Sequence, residues 1–134
     1  MERTPTTGDQ VNQLVDINIV GTQFVQFYYQ KWISNPQEIF QSGIFKNHTR
    51  LKFKGTVYKG DTLAQLHIDT QKKGISFQIN DIQVLDSGGR RADILVVGNI
   101  KETPQSKQLT FSQYFTIANN KENWFLHNSL LSIF

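Results

Sequence analysis

Four side chains have the chemistry for general acid–base work: Asp81, His127, Tyr28 and Tyr58. Such work needs an Asp or His as base, set beside a tyrosine or second acid that passes a proton near neutral pH. Asp81 is the sharpest candidate, because it stands where a strand pattern changes parity and side chains are re-aimed. Against it, no acid–base constellation is evident. A large aromatic set, Phe24, Phe27, Tyr28, Phe40, Phe77, Phe111, Phe115 and Trp124, is available to fill the interior a substrate would need. His48, His67 and His127 lack ligand spacing and read as surface or hydrogen-bonded histidines, so no metal is expected. With no Cys there is neither a thiolate site nor a cysteine nucleophile. Ser87-Gly88-Gly89 follows a strand but opens no helix; it is a hairpin turn, and no phosphate-binding cofactor is expected.

Binding is the alternative to catalysis. Lys46, Arg50, Lys52, Lys54 and Lys59 fall in one stretch without an acid until Asp61, in a chain of net charge +3 and pI about 9.2. Lys52, Lys54 and Lys59, interleaved with Phe53 and Tyr58, are expected to form a basic surface for an acidic partner or for RNA, although so mild a net charge does not by itself diagnose nucleic-acid binding. The competing reading is a strand edge kept from aggregating by its lysines.

The elements that must position these residues are legible in the spacing. At 134 residues the chain holds one core. Residues 1–15 read as a flexible polar tail and 16–134 as one domain. No apolar core of a secretory signal opens the chain and no long apolar run follows, so a cytosolic or nuclear protein without membrane insertion is expected, and Asn47-His48-Thr49 is an accidental glycosylation match. Ile17, Val20, Phe24, Phe27, Tyr28 and Trp32 recur at helical spacing over 16–32. Ser34-Asn35-Pro36 stops that helix and starts a second, expected from Gln37 to about Phe45. Thr49–Lys54 alternates as a strand, Gly55 turns, Val57-Tyr58 is extended, and Asp61 is placed to cap a third, short helix. Four long strands follow: Gly74–Leu85, Ala92–Lys101, Gln108–Ala118 and Asn123 onward. In the first, the apolar set Ile75, Phe77, Ile79 switches to Ile82, Val84, which predicts a bulge near Asn80-Asp81. The sum is an α+β fold: a strongly curved antiparallel sheet packed against three helices from the N-terminal half, closing into a cone.

In that order, four stretches carry a resemblance: Phe24-Val25-Gln26-Phe27-Tyr28-Tyr29; Phe45 to Gly60, with Leu51-Lys52-Phe53-Lys54-Gly55; Val96-Val97-Gly98-Asn99-Ile100 with Phe111-Ser112-Gln113-Tyr114-Phe115; and Trp124 to Leu131. Together they resemble the nuclear transport factor two-like family over residues 16 to 134. The resemblance implies a non-enzymatic, protein-binding module of nucleocytoplasmic transport at the nucleus, nuclear pore and cytoplasm. Within the family it is most similar in character to the small subunit of the messenger-RNA export receptor, which pairs with a larger chain carrying a related domain and helps bind phenylalanine–glycine nucleoporins. The alternatives are a homodimeric carrier of GDP-bound Ran, a dimerisation domain of an RNA-granule scaffold, or an isomerase or dehydratase of the same fold.

The family's functional positions carry over unevenly. Its Ran carriers have acids at the cavity mouth; here Lys54 stands where a glutamate is expected, and Glu102-Thr103-Pro104-Gln105 where an aspartate pair is expected, so Ran-GDP is disfavoured. The family's dimer contacts on the last strand imply an interface at Leu130, although Ser129 and Ser132 replace an expected carboxylate and arginine; Tyr114, Thr116 and Thr110 on the neighbouring strand join it if Phe111, Phe115 and Ile117 point inward. Ile17 occupies the place of an exposed aromatic that contacts nucleoporin repeats.

Overall fold

The computed structural model describes residues 17–121 and 123–134. The tail over 1–15 and Asp16 lie outside the described residues. Helix α1 (Ile17–Ser34) turns Gly21, Phe24, Val25, Tyr28, Tyr29 and Trp32 inward, a stripe at the 3.6-residue period. Phe27 is only half-buried, its ring covered by the Lys31 ammonium at 5.9 Å. Helix α2 (Gln37–Gln41) is shorter than its apolar pattern suggests. Gly43, at φ +84°, turns the chain out of the helix, and Phe45 opens strand β1 (Phe45–Phe53) instead of closing a helix.

Lys54 and Gly55, at φ +53° and +82°, are the two residues of a primed hairpin turn into β2 (Thr56–Lys59). Helix α3 (Gly60–Lys72) follows. Asp61 does not cap it. The Thr62 hydroxyl receives the Lys59 amide at 3.0 Å and donates to the Lys59 carbonyl at 2.7 Å, leaving Asp61 exposed in the first turn, where its charge still suits the helix dipole.

Strands β3 (Ser76–Asp86), β4 (Arg91–Lys101), β5 (Leu109–Asn119) and β6 (Trp124–Ile133) form a meander. The sheet has six strands in the order β2-β1-β6-β5-β4-β3. It departs from the antiparallel expectation at one seam, where β1 pairs with β6 in parallel. The expected bulge is present: Ile79 pairs with Gly98 and Asp81 with Val97, leaving Asn80 as the extra residue. Gly98 is required there, because a Cβ would lie 2.0 Å from the Gln78 carbonyl oxygen. At Gly21 a Cβ would meet the Val84 methyls at 2.8–2.9 Å, so α1 crosses β3 at close range. The core lies between α1, α3 and the inner sheet face, with Leu51, Phe53, Ile94, Val96, Phe111, Phe115, Ile117, Leu126 and Leu131 pointing into it.

Candidate protein interface

The acid–base candidates do not meet. Asp81 is exposed and its carboxylate accepts from the Gln83 amide at 2.9 Å. His127 lies on the outer sheet surface beside His48, and Tyr58 packs against the core from the hairpin edge. Tyr28 is fully buried with His67, a residue with no sequence signal beyond being a lone histidine on a helix. The Tyr28 hydroxyl and His67 Nε2 are 2.7 Å apart, and His67 Nδ1 is 2.8 Å from the Leu63 carbonyl. A carbonyl only accepts, so Nδ1 carries the proton and Nε2 accepts from Tyr28. Rings of Trp32, Phe40 and Phe45 enclose the imidazole, and burial lowers its pKa to about 4 against the backbone bond's opposing effect. Burial likewise raises the Tyr28 hydroxyl. A second buried chain runs from Tyr29 to Gln113 Oε1 (2.7 Å), from Gln113 Nε2 to Ser129 (2.9 Å), and from Ser129 to the Tyr114 carbonyl (2.8 Å). Both chains tie helix to helix or helix to sheet, and their polar atoms are matched to one another.

The outer face of the same strands is different. Cross-strand pairing places Val57, Lys52, Leu130, Tyr114, Leu95 and Gln83 in one row across the sheet. Leu130, Tyr114 and Leu95 are each more than 40% exposed, side by side at the sheet's centre. Two of the four expected interface residues, Leu130 and Tyr114, are thus neighbours. Thr110 is exposed further along β5. Thr116 faces the same way but is only 5% exposed, with its hydroxyl turned to Asp93. Leu95 was not anticipated. Strand β4 is apolar on both faces, so alternation carried no signal for which residues face out.

Asp93 organises this surface. Its carboxylate accepts from the hydroxyls of Tyr114 (2.7 Å), Thr116 (3.0 Å) and Ser87. The Ser87 bond, followed by that of Tyr114, holds the carboxyl below its usual range despite partial burial. The donors fix Tyr114 in one orientation, and Arg91 adds a smaller electrostatic stabilisation of the carboxylate.

Beside Leu130 the face opens into a cleft of about 420 Å³ lined by Lys52, Lys54, Glu102, Leu109, Leu131 and Ile133. Lys54 and Glu102 are paired there at 2.6 Å. The expected basic trio is therefore divided: Lys54 is neutralised, whereas Lys52 and Lys59 are exposed on the outer face with Arg50, directly opposite Lys59. Ile17 is half-buried against the core, and the exposed apolar side chains of α1 are Ile19 and Ile33. Among the described residues no group of three or more His, Cys, Asp or Glu is placed to hold a metal, and no helix is long and apolar enough to cross a membrane.

Three known proteins set this geometry in context. Nuclear transport factor 2 of Schizosaccharomyces pombe is 24% identical over 122 residues, covering 90% of this chain and 98% of that protein. The structure of nuclear transport factor 2 from Cryptosporidium parvum superposes with a TM-score of 0.77 at 21% identity, over 90% of this chain and 96% of that one. A putative scytalone dehydratase from Novosphingobium aromaticivorans has the same fold at a TM-score of 0.74 and 13% identity, covering 93% and 88% of the two chains. The fold is thus shared with proteins described as enzymes, while the curated relative is a transport factor. The family model described as the nuclear transport factor 2 domain matches residues 20–133, and the chain belongs to that family.

Proposed function

We propose that this protein is a non-enzymatic, protein-binding module of nucleocytoplasmic transport, the small subunit of a messenger-RNA export receptor, and that it pairs through the outer face of its sheet with a larger chain carrying a related domain. The observation that carries the reading is the exposed row Leu130–Tyr114–Leu95, set on strands whose inner polar groups are already matched to one another. An apolar centre of this kind, bordered by polar residues, marks an association surface. The partner's shape follows from charge. Lys52 flanks the row on the β1–β2 side, and Asp81 on the β3–β4 side. A second sheet of the same fold, laid face to face and reversed, brings each basic edge over an acidic one.

Lys54, paired with Glu102 where a Ran carrier needs free acids, weighs against Ran-GDP as ligand. Exposed Ile19, rather than Ile17, offers the apolar contact on α1 for phenylalanine–glycine segments. The reading places the protein at the nucleus and the nuclear pore.

The test is affinity capture of the tagged protein from its own cells, compared with Leu130→Glu. That substitution would bury an unpaired charge in the interface and is expected to weaken pairing by more than 100-fold, roughly 3 kcal/mol. Recovery of a larger chain with a domain of this family, lost in the variant, supports the proposal. Recovery of only the protein itself, Ran or granule proteins rejects it in favour of a carrier or scaffold homodimer.

A further inference from the structure

The pairing of β1 with β6 is interrupted at one level. The register jumps from Phe45↔Leu126 to Arg50↔Asn128, leaving residues 46–49 bulged out of β1. At the same level β6 carries an extra residue of its own, His127, between the pairs Ile117↔Leu126 and Thr116↔Asn128. Buried Thr49 fastens the β1 bulge: its hydroxyl donates to the Leu126 carbonyl at 2.5 Å and accepts from the Lys46 amide at 2.8 Å. Two facing bulges re-aim their side chains toward each other.

What they gather is a cluster of rings and cations. The His48 and His127 rings are 5.1 Å apart. His48 stands edge-on to Phe125 at 5.6 Å, and the Lys46 ammonium lies 5.7 Å over the Phe125 ring. Arg50 follows on β1, and Lys59 faces it from β2. Arg50 and, from the start of β4, Arg91 both act electrostatically on His127. Asp93, the carboxylate on the neighbouring part of β4, accepts from Ser87, Tyr114 and Thr116 and remains an anion on which Arg91 acts, so Arg91 is balanced there while Lys46, Arg50 and Lys59 are not. Like charges brought together on a fixed scaffold create a potential that an anion relieves.

We propose that this cluster, centred on Lys46, His48, Arg50, Phe125 and His127 with Lys59 at its edge, is a binding site for single-stranded RNA. At about 4.8 Å per strand, the span from β2 through β1 to β6 is about 10 Å, enough to follow consecutive groups of a polyanion and too long for one phosphate. The guanidinium fork of Arg50 suits phosphate oxygens. The rings give unpaired bases planar surfaces to stack on, which an acidic peptide cannot use.

Fluorescence anisotropy with a labelled decauridylate tests this on the whole protein. Three phosphate contacts predict an affinity that falls about 20-fold between 50 and 200 mM salt. Lys46→Ala/Arg50→Ala is expected to cost at least 10-fold, whereas Lys72→Ala/Lys73→Ala, the same change of charge at the C-terminal end of α3, leaves binding within 2-fold. Phe125→Leu keeps an apolar filler and removes the ring; it should weaken binding several-fold while the thermal melt is retained. Absence of binding at 50 mM salt, equal losses from the two lysine-containing variants, or competition by decaglutamate as strong as by unlabelled RNA would each overturn the site.

Discussion

The two faces of one sheet share their strands and differ in what their polar groups are free to do. On the inner face Tyr28, His67, Tyr29, Gln113 and Ser129 are buried and matched in pairs, so removing one strands another. On the outer face Asp93 gathers three hydroxyls around a surface that otherwise leaves Leu130, Tyr114 and Leu95 uncovered. Tyr28, a residue type that suggests catalysis, therefore serves architecture, and Leu95, which suggests nothing in the sequence, joins Leu130 and Tyr114 on the exposed surface. Exposure and unused bonding capacity, not residue type, separate the two roles.

Substitutions should obey the same division, inner ones lowering stability and outer ones lowering association. The largest effect is expected from Phe115→Ala, which empties a fully buried ring site against Tyr28 and Tyr29. A loss of about 3–5 kcal/mol in urea unfolding is predicted; a loss under 1 kcal/mol would mean the interior is not packed as described.

Next comes pH. The folded-state pKa of His67 is lowered from 6.5 to about 4, so between those values the unfolded chain binds the extra proton. Its contribution is complete above pH 6.5 and is lost as pH falls toward 4, by about 3 kcal/mol in total. Urea midpoints at pH 7.5 and 4.5 should show this fall in the wild type and a shallower one in His67→Gln; parallel falls would remove His67 as the cause. The smallest effect belongs to Asp93→Asn. It keeps the shape but weakens the acceptor for Tyr114, Thr116 and Ser87, and should weaken pairing only a few-fold by analytical ultracentrifugation with little change in the melt. A melt that drops as far as that of Phe115→Ala would erase the distinction between the faces.

Much of the fold was legible because local rules govern it. The aromatic stripe of α1, the parity switch at Asn80 and the turn at Gly55 are read from neighbours a few residues apart. What escaped depends on distant partners. Nothing around Phe45 shows that its backbone pairs with Leu126, so α2 was expected to run on to it. Thr62 took the capping role from Asp61 because its hydroxyl reaches Lys59. At the candidate interface Leu130 and Tyr114 stood out through the resemblance, whereas Leu95 was hidden in a strand apolar on both sides. His67 was one histidine among three until Tyr28, 39 residues away, was seen to hold it.

The parallel seam between β1 and β6 also orders events in time. Of the six strands β6 is made last, yet it sits between β1 and β5. While the ribosome is still short of Trp124, the β1–β2 hairpin and the β3–β4–β5 meander have no shared edge, and each exposes a strand border able to pair with other nascent chains. Ten late residues therefore act as the keystone of this sheet, and its assembly waits on long-range closure, which makes folding slow for a chain of this length.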